Sequence, residues 1–171
     1  MTVPAAVIKC VPMERSAYEA YGDLISADES EAFRFANMGT AKRFNQLSDV
    51  INLRPNEARL NLCVFRCEAA HLPLEMKLLE RHPYSTQVFI PMHQDAKFLV
   101  IVSLGANLPD LATLKAFVVT GAQGISYKPG VWHYPMTALE QPIDFSCLIW
   151  EDGSEFDCHV VNLDEPIAIQ L

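Results

Sequence analysis

From Leu60 onward, apolar residues fall in short runs separated by turn formers rather than in helical stripes. The runs Leu60–Arg66, Thr86–Pro91, Lys97–Leu104, Leu114–Thr120, Gly124–Tyr127, Ile143–Trp150 and 157–163 are rich in Val, Ile, Phe and Leu and bounded by Pro, Gly, Asn or Asp. That pattern predicts strands. Gly105, Pro109 and Asp110 read as a turn between two of them, as do Gly121, Gln123 and Gly124. The GxxG at 121–124 lacks the strand-glycine-helix context of a phosphate cradle, so a plain turn is expected there. Leu74–Glu80 is the one stretch in this half with helical spacing. Earlier in the chain, Ala5–Val11 reads as a strand, Ser16 as the cap of a short helix over 17–21 that Gly22 stops, and 37–48 as loop with a short helix. Many short strands at close intervals predict a β-sandwich or closed barrel, because closure removes exposed sheet edges.

Composition narrows the class further. At 171 residues, with no repeat, low-complexity tract or Gly/Ser linker, the chain is expected to form one domain. Half of its residues are apolar and 20% are charged, which suits a globular fold. The longest apolar runs, such as Phe98–Ser103, fall far short of a membrane span, so no membrane partner is expected. A net charge of −8 opposes binding to nucleic acid, which depends on clustered Lys and Arg. Residues 1–11 lack a signal-peptide pattern, and a cytoplasmic location is expected. The five cysteines, at 10, 63, 67, 147 and 158, include no CxxC and read as reduced and structural.

Two segments place ionisable side chains inside apolar β sequence. In 79–92, Glu80, His82 and Gln87 are expected to share one face if the segment is extended. In 127–135, the Pro129-Gly130 turn presents His133 from the start of the next extended segment. Two histidines from separate strands, with a carboxylate and an amide, meet the needs of a metal site or of proton transfer. Each residue alone is equally well explained by a solvated turn or a surface ion pair. Trp132 and Tyr134 read as packing residues, and His71, His93 and His159 as structural.

Glu80-Arg81-His82-Pro83 followed by Thr86-Gln87-Val88-Phe89-Ile90-Pro91-Met92 resembles the signature of the ureidoglycolate lyase family. Ala20-Tyr21-Gly22-Asp23, Leu72-Pro73-Leu74, Lys115-Ala116-Phe117, Gly124-Ile125-Ser126-Tyr127, Val131-Trp132-His133 and Asp144-Phe145 extend the resemblance over nearly the whole chain. It implies a mainly β, cupin-like double-stranded β-helix barrel with a few short helices. It also implies a homodimer and cleavage of (S)-ureidoglycolate to glyoxylate and urea in purine degradation through allantoin. The general cupin ligand pattern is HxH, then Glu, then a later His; here the corresponding residues are Glu80, His82, Gln87 and His133. Gln87 is a weak neutral ligand, so a divalent metal such as Ni2+ is compatible with the set but not compelled by it.

For the implied reaction, His82 and His133 are expected to carry the proton traffic, with Glu80 orienting a histidine or acting as base. Arg66 is the first choice to bind the substrate carboxylate, since a guanidinium fork bonds both oxygens. Lys128 is a further cation, while Arg81 alternates to the opposite face. Gln87 suits the ureido group, Tyr127 can donate to a substrate oxygen, and Asn37 can close over the pocket. The competing readings are a metal-dependent isomerase or dioxygenase on another small acid, an ammonia-releasing hydrolase, and a non-catalytic small-molecule-binding barrel.

Overall fold

Extended backbone dominates the computed structural model, which describes residues 6–28 and 32–171. In chain order the strands begin with β1 (Ala6–Lys9), β2 (Val11–Pro12), β3 (Leu24–Ile25), β4 (Phe33–Ala36), β5 (Ala41–Phe44), β6 (Arg59–Cys67), β7 (Ala69–Ala70) and β8 (Leu74–Arg81). They continue with β9 (Gln87–Pro91), β10 (Lys97–Gly105), β11 (Pro109–Thr120), β12 (Gly124–Tyr127), β13 (Trp132–His133), β14 (Thr137–Leu139), β15 (Ile143–Glu151) and β16 (His159–Gln170). A one-turn helix, α1 (Arg15–Tyr18), and 3-10 turns at Asn37–Gly39 and Glu155–Asp157 complete the described elements.

A large sheet runs β1-β16-β8-β13-β10-β11-β2, with β14 and β7 branching from β10; a smaller one runs β3-β12-β9-β15-β6; β4 and β5 form a separate hairpin. The two main sheets face each other as a nearly closed, barrel-like pair, the mainly β architecture expected from the sequence. Alternation along β10 explains why its sequence is apolar without interruption. Phe98, Val100 and Val102 point between the sheets and pack with Phe89, Ile125 and Phe145. Leu99 and Ile101 point the other way, into a second core with Met76, Leu79, Trp132 and Ile169. Burying one such side chain contributes about 1.5–3 kcal/mol, so a polar group set among them needs a partner or a function. Among the described residues no helix is long and apolar enough to cross a membrane.

Several local expectations change. Leu74–Glu80 is not helical but lies in β8, paired with β16. The helical-looking spacing of Met76 and Leu79, both fully buried, arises where the β8–β16 register shifts between Asn162 and Ile167 and the buried face changes phase. The first helix is Arg15–Tyr18 with Glu14 at its N-cap and no side-chain cap bond, rather than 17–21 capped by Ser16. The strand expected over 5–11 divides: β1 pairs with β16 and β2 with β11, while Ala5 lies outside the described residues. Within 37–48 the chain makes the 3-10 turn and β5, closing a hairpin on β4. The last predicted strand starts later and runs longer, as β16.

Candidate active site

Strand β13 is only two residues long, yet it sets the chemistry because it lies between β8 and β10. His133 is the register partner of Glu80, and directly opposed residues project to one face of a sheet. His133 Nε2 lies 3.6 Å from Glu80 Oε1. The turn before β13 depends on Gly130, whose φ of +80° favours glycine. Its N–H donates to the carbonyl of His82 at 2.9 Å, tying the turn to the end of β8.

Both imidazoles are held by their other nitrogen. His82 Nδ1 donates to the carbonyl of Asp157 at 2.8 Å, and His133 Nδ1 donates to that of Val131 at 3.0 Å. A carbonyl only accepts, so each Nδ1 carries the ring proton and each Nε2 keeps a lone pair. Both Nε2 atoms are buried without a hydrogen-bond partner. The rings are 5.3 Å apart by centroid, and one ligand atom each from Glu80, His82 and His133 lies within 4.8 Å of the others.

Burial dominates the charge states. It pulls His82 down to about 4, helped by repulsion from His133, so the ring is neutral near pH 7. For Glu80, burial pushes upward, but the adjacent His133 ring and, to a smaller extent, His82 outweigh it and hold the carboxyl below its ordinary value. Burial and then the Glu80 charge push the Cys158 thiol up to about 11, leaving an S–H 3.8 Å from Glu80 Oε2. Burial also drives the Tyr127 phenol far above its usual value, so it remains a donor.

The facing wall comes from the smaller sheet. Gln87 on β9 is 4% exposed and is the register partner of Tyr127 on β12. The Tyr127 ring stacks on His133, with centroids 4.0 Å apart and planes 8° from parallel. Gln87 Oε1 and Tyr127 Oη are buried and unpartnered. Glu80, His82 and Gln87 therefore do not share one extended face. Strand β8 ends at Arg81, the 82–86 segment turns across, and Gln87 opens a strand of the opposite sheet.

Other residues expected at the site lie elsewhere. Arg66 projects outward from β6, its side chain 74% exposed, and forks onto Asp144 through bonds of 2.8 and 2.9 Å. Hydrogen bonding by Arg66 holds the Asp144 carboxyl below the usual range. Lys128 Nζ donates to the carbonyl of Glu19, and Asn37 sits at the exposed tip of the β4–β5 hairpin. Arg81 lies over Trp132, 4.9 Å from its ring centroid, and donates to the carbonyl of Ala106 at 2.5 Å, on the side away from Glu80. Arg66→Ala is expected to leave kcat and KM within about twofold of the parent in a glyoxylate-release assay, because an exposed pair on the outer face contributes little. A tenfold rise in KM would place Arg66 at the substrate after all.

Asp157 and Cys158, which touch His82 and Glu80, carry no sequence motif. The only hint is the turn-forming Asp152-Gly153-Ser154 just before them. Chemically, two lone pairs and a carboxylate crowded this closely repel unless a cation or a proton lies among them. Imidazole and carboxylate suit a divalent transition metal, so the three residues fit one, and backbone carbonyls holding both histidines by Nδ1 match the usual support of metal-binding imidazoles.

A family model described as ureidoglycolate lyase matches residues 5–170. Curated relatives named ureidoglycolate lyase from Escherichia coli (strain SMS-3-5 / SECEC), Escherichia coli O157:H7 and Shigella flexneri are each 37% identical to this chain over 158 residues, covering 92% of it and 95% of the relative.

Proposed function

This chain belongs to the ureidoglycolate lyase family, and we propose that it cleaves (S)-ureidoglycolate to glyoxylate and urea in the pocket between Glu80, His82 and His133 on one side and Gln87 and Tyr127 on the other. The single observation that carries the assignment is the set of buried, unpartnered polar atoms His82 Nε2, His133 Nε2, Gln87 Oε1 and Tyr127 Oη, on residues linked by the His82–His133 and Tyr127–His133 ring contacts and the Gln87–Tyr127 register. Buried polar groups without partners are costly, so their grouping is explained by a ligand that satisfies them.

The substrate carries a hydroxyl and a ureido nitrogen on one carbon. Elimination moves the hydroxyl proton away, turns that C–O bond into a carbonyl, breaks the C–N bond and returns a proton to the departing nitrogen. One shuttle suffices. His133 Nε2 takes the hydroxyl proton, the Glu80 carboxylate 3.6 Å away stabilises the imidazolium, and the same proton passes to the urea nitrogen. Tyr127 stacked on the ring keeps it in plane. Gln87 Oε1 accepts a ureido N–H, Tyr127 Oη donates to a substrate oxygen, and neutral His82 offers a further acceptor.

Glu80, His82 and His133 would be the ligands of a divalent ion such as Ni2+, with Gln87 as a weaker neighbour. Such an ion would supply positive charge for the substrate carboxylate and hydroxyl oxygen. It would use the same Nε2 lone pairs as the shuttle, so the two modes exclude each other at these atoms. The decisive assay supplies each enantiomer before and after exhaustive chelation and measures urea, ammonia and glyoxylate. We expect one urea per glyoxylate from the S form, no ammonia, and activity that survives chelation. Activity lost on chelation and restored by Ni2+ would move the chemistry to the ion. Ammonia in place of urea would reject the lyase assignment.

The fuller reading is a cupin-like single domain acting as a homodimer in the cytoplasm. Dimerisation is supported by β6, an edge of the smaller sheet on which Leu62 is 69% and Val64 58% exposed, since an apolar edge strand invites pairing.

A further inference from the structure

We propose that Arg54, a buried arginine 26 residues before Glu80, the first active-site side chain, is a positioning residue for His82. The inference rests on the active-site assignment above. The Arg54 side chain is only 3% exposed and reaches three partners. Nη1 donates to the carbonyl of Trp150 at 2.8 Å, Nε lies 3.5 Å from Asp152 Oδ2, and Nη2 donates to Asp157 Oδ1. The Asp157 carboxylate also accepts from the N–H groups of Asp152, at 3.1 Å, and Gly153, at 2.7 Å. The turn joining β15 to β16 is thus gathered around one carboxylate, and Arg54 is the cation set against it.

What that turn delivers is the reason to assign a function to it. The backbone carbonyl of Asp157 accepts the Nδ1 proton of His82, and the next residue, Cys158, places its S–H 3.8 Å from Glu80 Oε2. Fixing Nδ1 as the protonated nitrogen leaves the Nε2 lone pair facing Glu80 and His133. Nothing else in the described structure bonds the His82 ring, so its tautomer depends on where the 157 carbonyl sits. A buried guanidinium reaches the Trp150 carbonyl, Asp152 and Asp157 at once from fixed donor positions, which a lone ammonium does not.

Arg54→Met tests this. Loss of a residue supporting a ligand or base commonly costs about 10–100-fold in activity. We expect kcat for glyoxylate release to fall within that range while KM stays within about twofold. Nitrogen-15 NMR of labelled histidine should show His82 protonated at Nδ1 alone in the parent and as mixed tautomers in the variant. Arg54→Lys should recover part of kcat and part of the Nδ1 tautomer. If Arg54→Met does not fold, Asp157→Asn carries the same test with the same expected results. A folded variant with parent kcat and a pure Nδ1 tautomer overturns the proposal and leaves Arg54 a structural clamp. His82→Ala, run alongside, separates the two failures. Parent-like activity in that variant would overturn the active-site assignment, whereas an inactive His82→Ala beside a parent-like Arg54→Met would overturn only the role of Arg54.

Discussion

His133→Ala is expected to lower kcat for glyoxylate release by about 10²–10⁴-fold, the range that a positioned acid–base group supplies. Three features of the site make this the largest single effect. His133 joins the two walls, opposing Glu80 in the β8–β13 register and stacking on Tyr127 from the other sheet. Its Nε2 is buried without a hydrogen-bond partner, so it is free to take the substrate proton. No second ring can replace it directly, because burial keeps His82 neutral and weakly basic at about 4. The alanine variant should fold, since removing the ring takes away one hydrogen bond, to Val131, and leaves the β13–β10 pairing intact. Steady-state kinetics with a thermal melt checks both points, and a folded variant within threefold of the parent would remove His133 from the mechanism.

Glu80→Gln follows, with an expected loss of about 10²-fold in kcat and a smaller change in KM. The substitution keeps size and hydrogen-bonding capacity but removes the charge that stabilises the His133 imidazolium. In a serine-protease triad the carboxylate holds the histidine by Nδ1–H, so neutralising it also puts the ring in the wrong tautomer and costs about 10⁴-fold. Here the tautomer is held independently by the Val131 carbonyl, so only the electrostatic part should be lost. A loss as large as that of His133→Ala would indicate that Glu80 itself carries the proton. An unchanged kcat would show that the 3.6 Å contact has no catalytic consequence.

The long strands were legible because burial on both faces writes itself into the sequence as an unbroken apolar run, as in β10. Strand β8 was not, because a register shift against β16 changes which parity is buried and leaves the i, i+3 spacing of Met76 and Leu79 that helices also show. Glu80, His82 and His133 stood out as ionisable groups within apolar segments, and the fold brings those three together. Gln87 does not take the shared face expected of it: the turn at 82–86 hands it to the other sheet, where it is the register partner of Tyr127, whose ring stacks on His133. Arg66 could have been placed by parity alone: Cys63 and Cys67 pack on the inter-sheet core, so Arg66, of the opposite parity, faces outward. Arg54 had no such signal. Its partners at 150, 152 and 157 lie about a hundred residues away, and only the folded chain brings them together.

The most direct measurement is a crystal structure with oxalurate, the unreactive analogue in which a carbonyl replaces the carbinol carbon of ureidoglycolate. The ligand is expected between the two sheets, its ureido N–H groups donating to Gln87 Oε1 and His82 Nε2, one of its oxygens accepting from Tyr127 Oη, and the carbonyl that replaces the carbinol lying beside His133. Density for oxalurate on the outer face beside Arg66 and Asp144, with Gln87 Oε1, His82 Nε2 and Tyr127 Oη still unpartnered, would contradict the assignment.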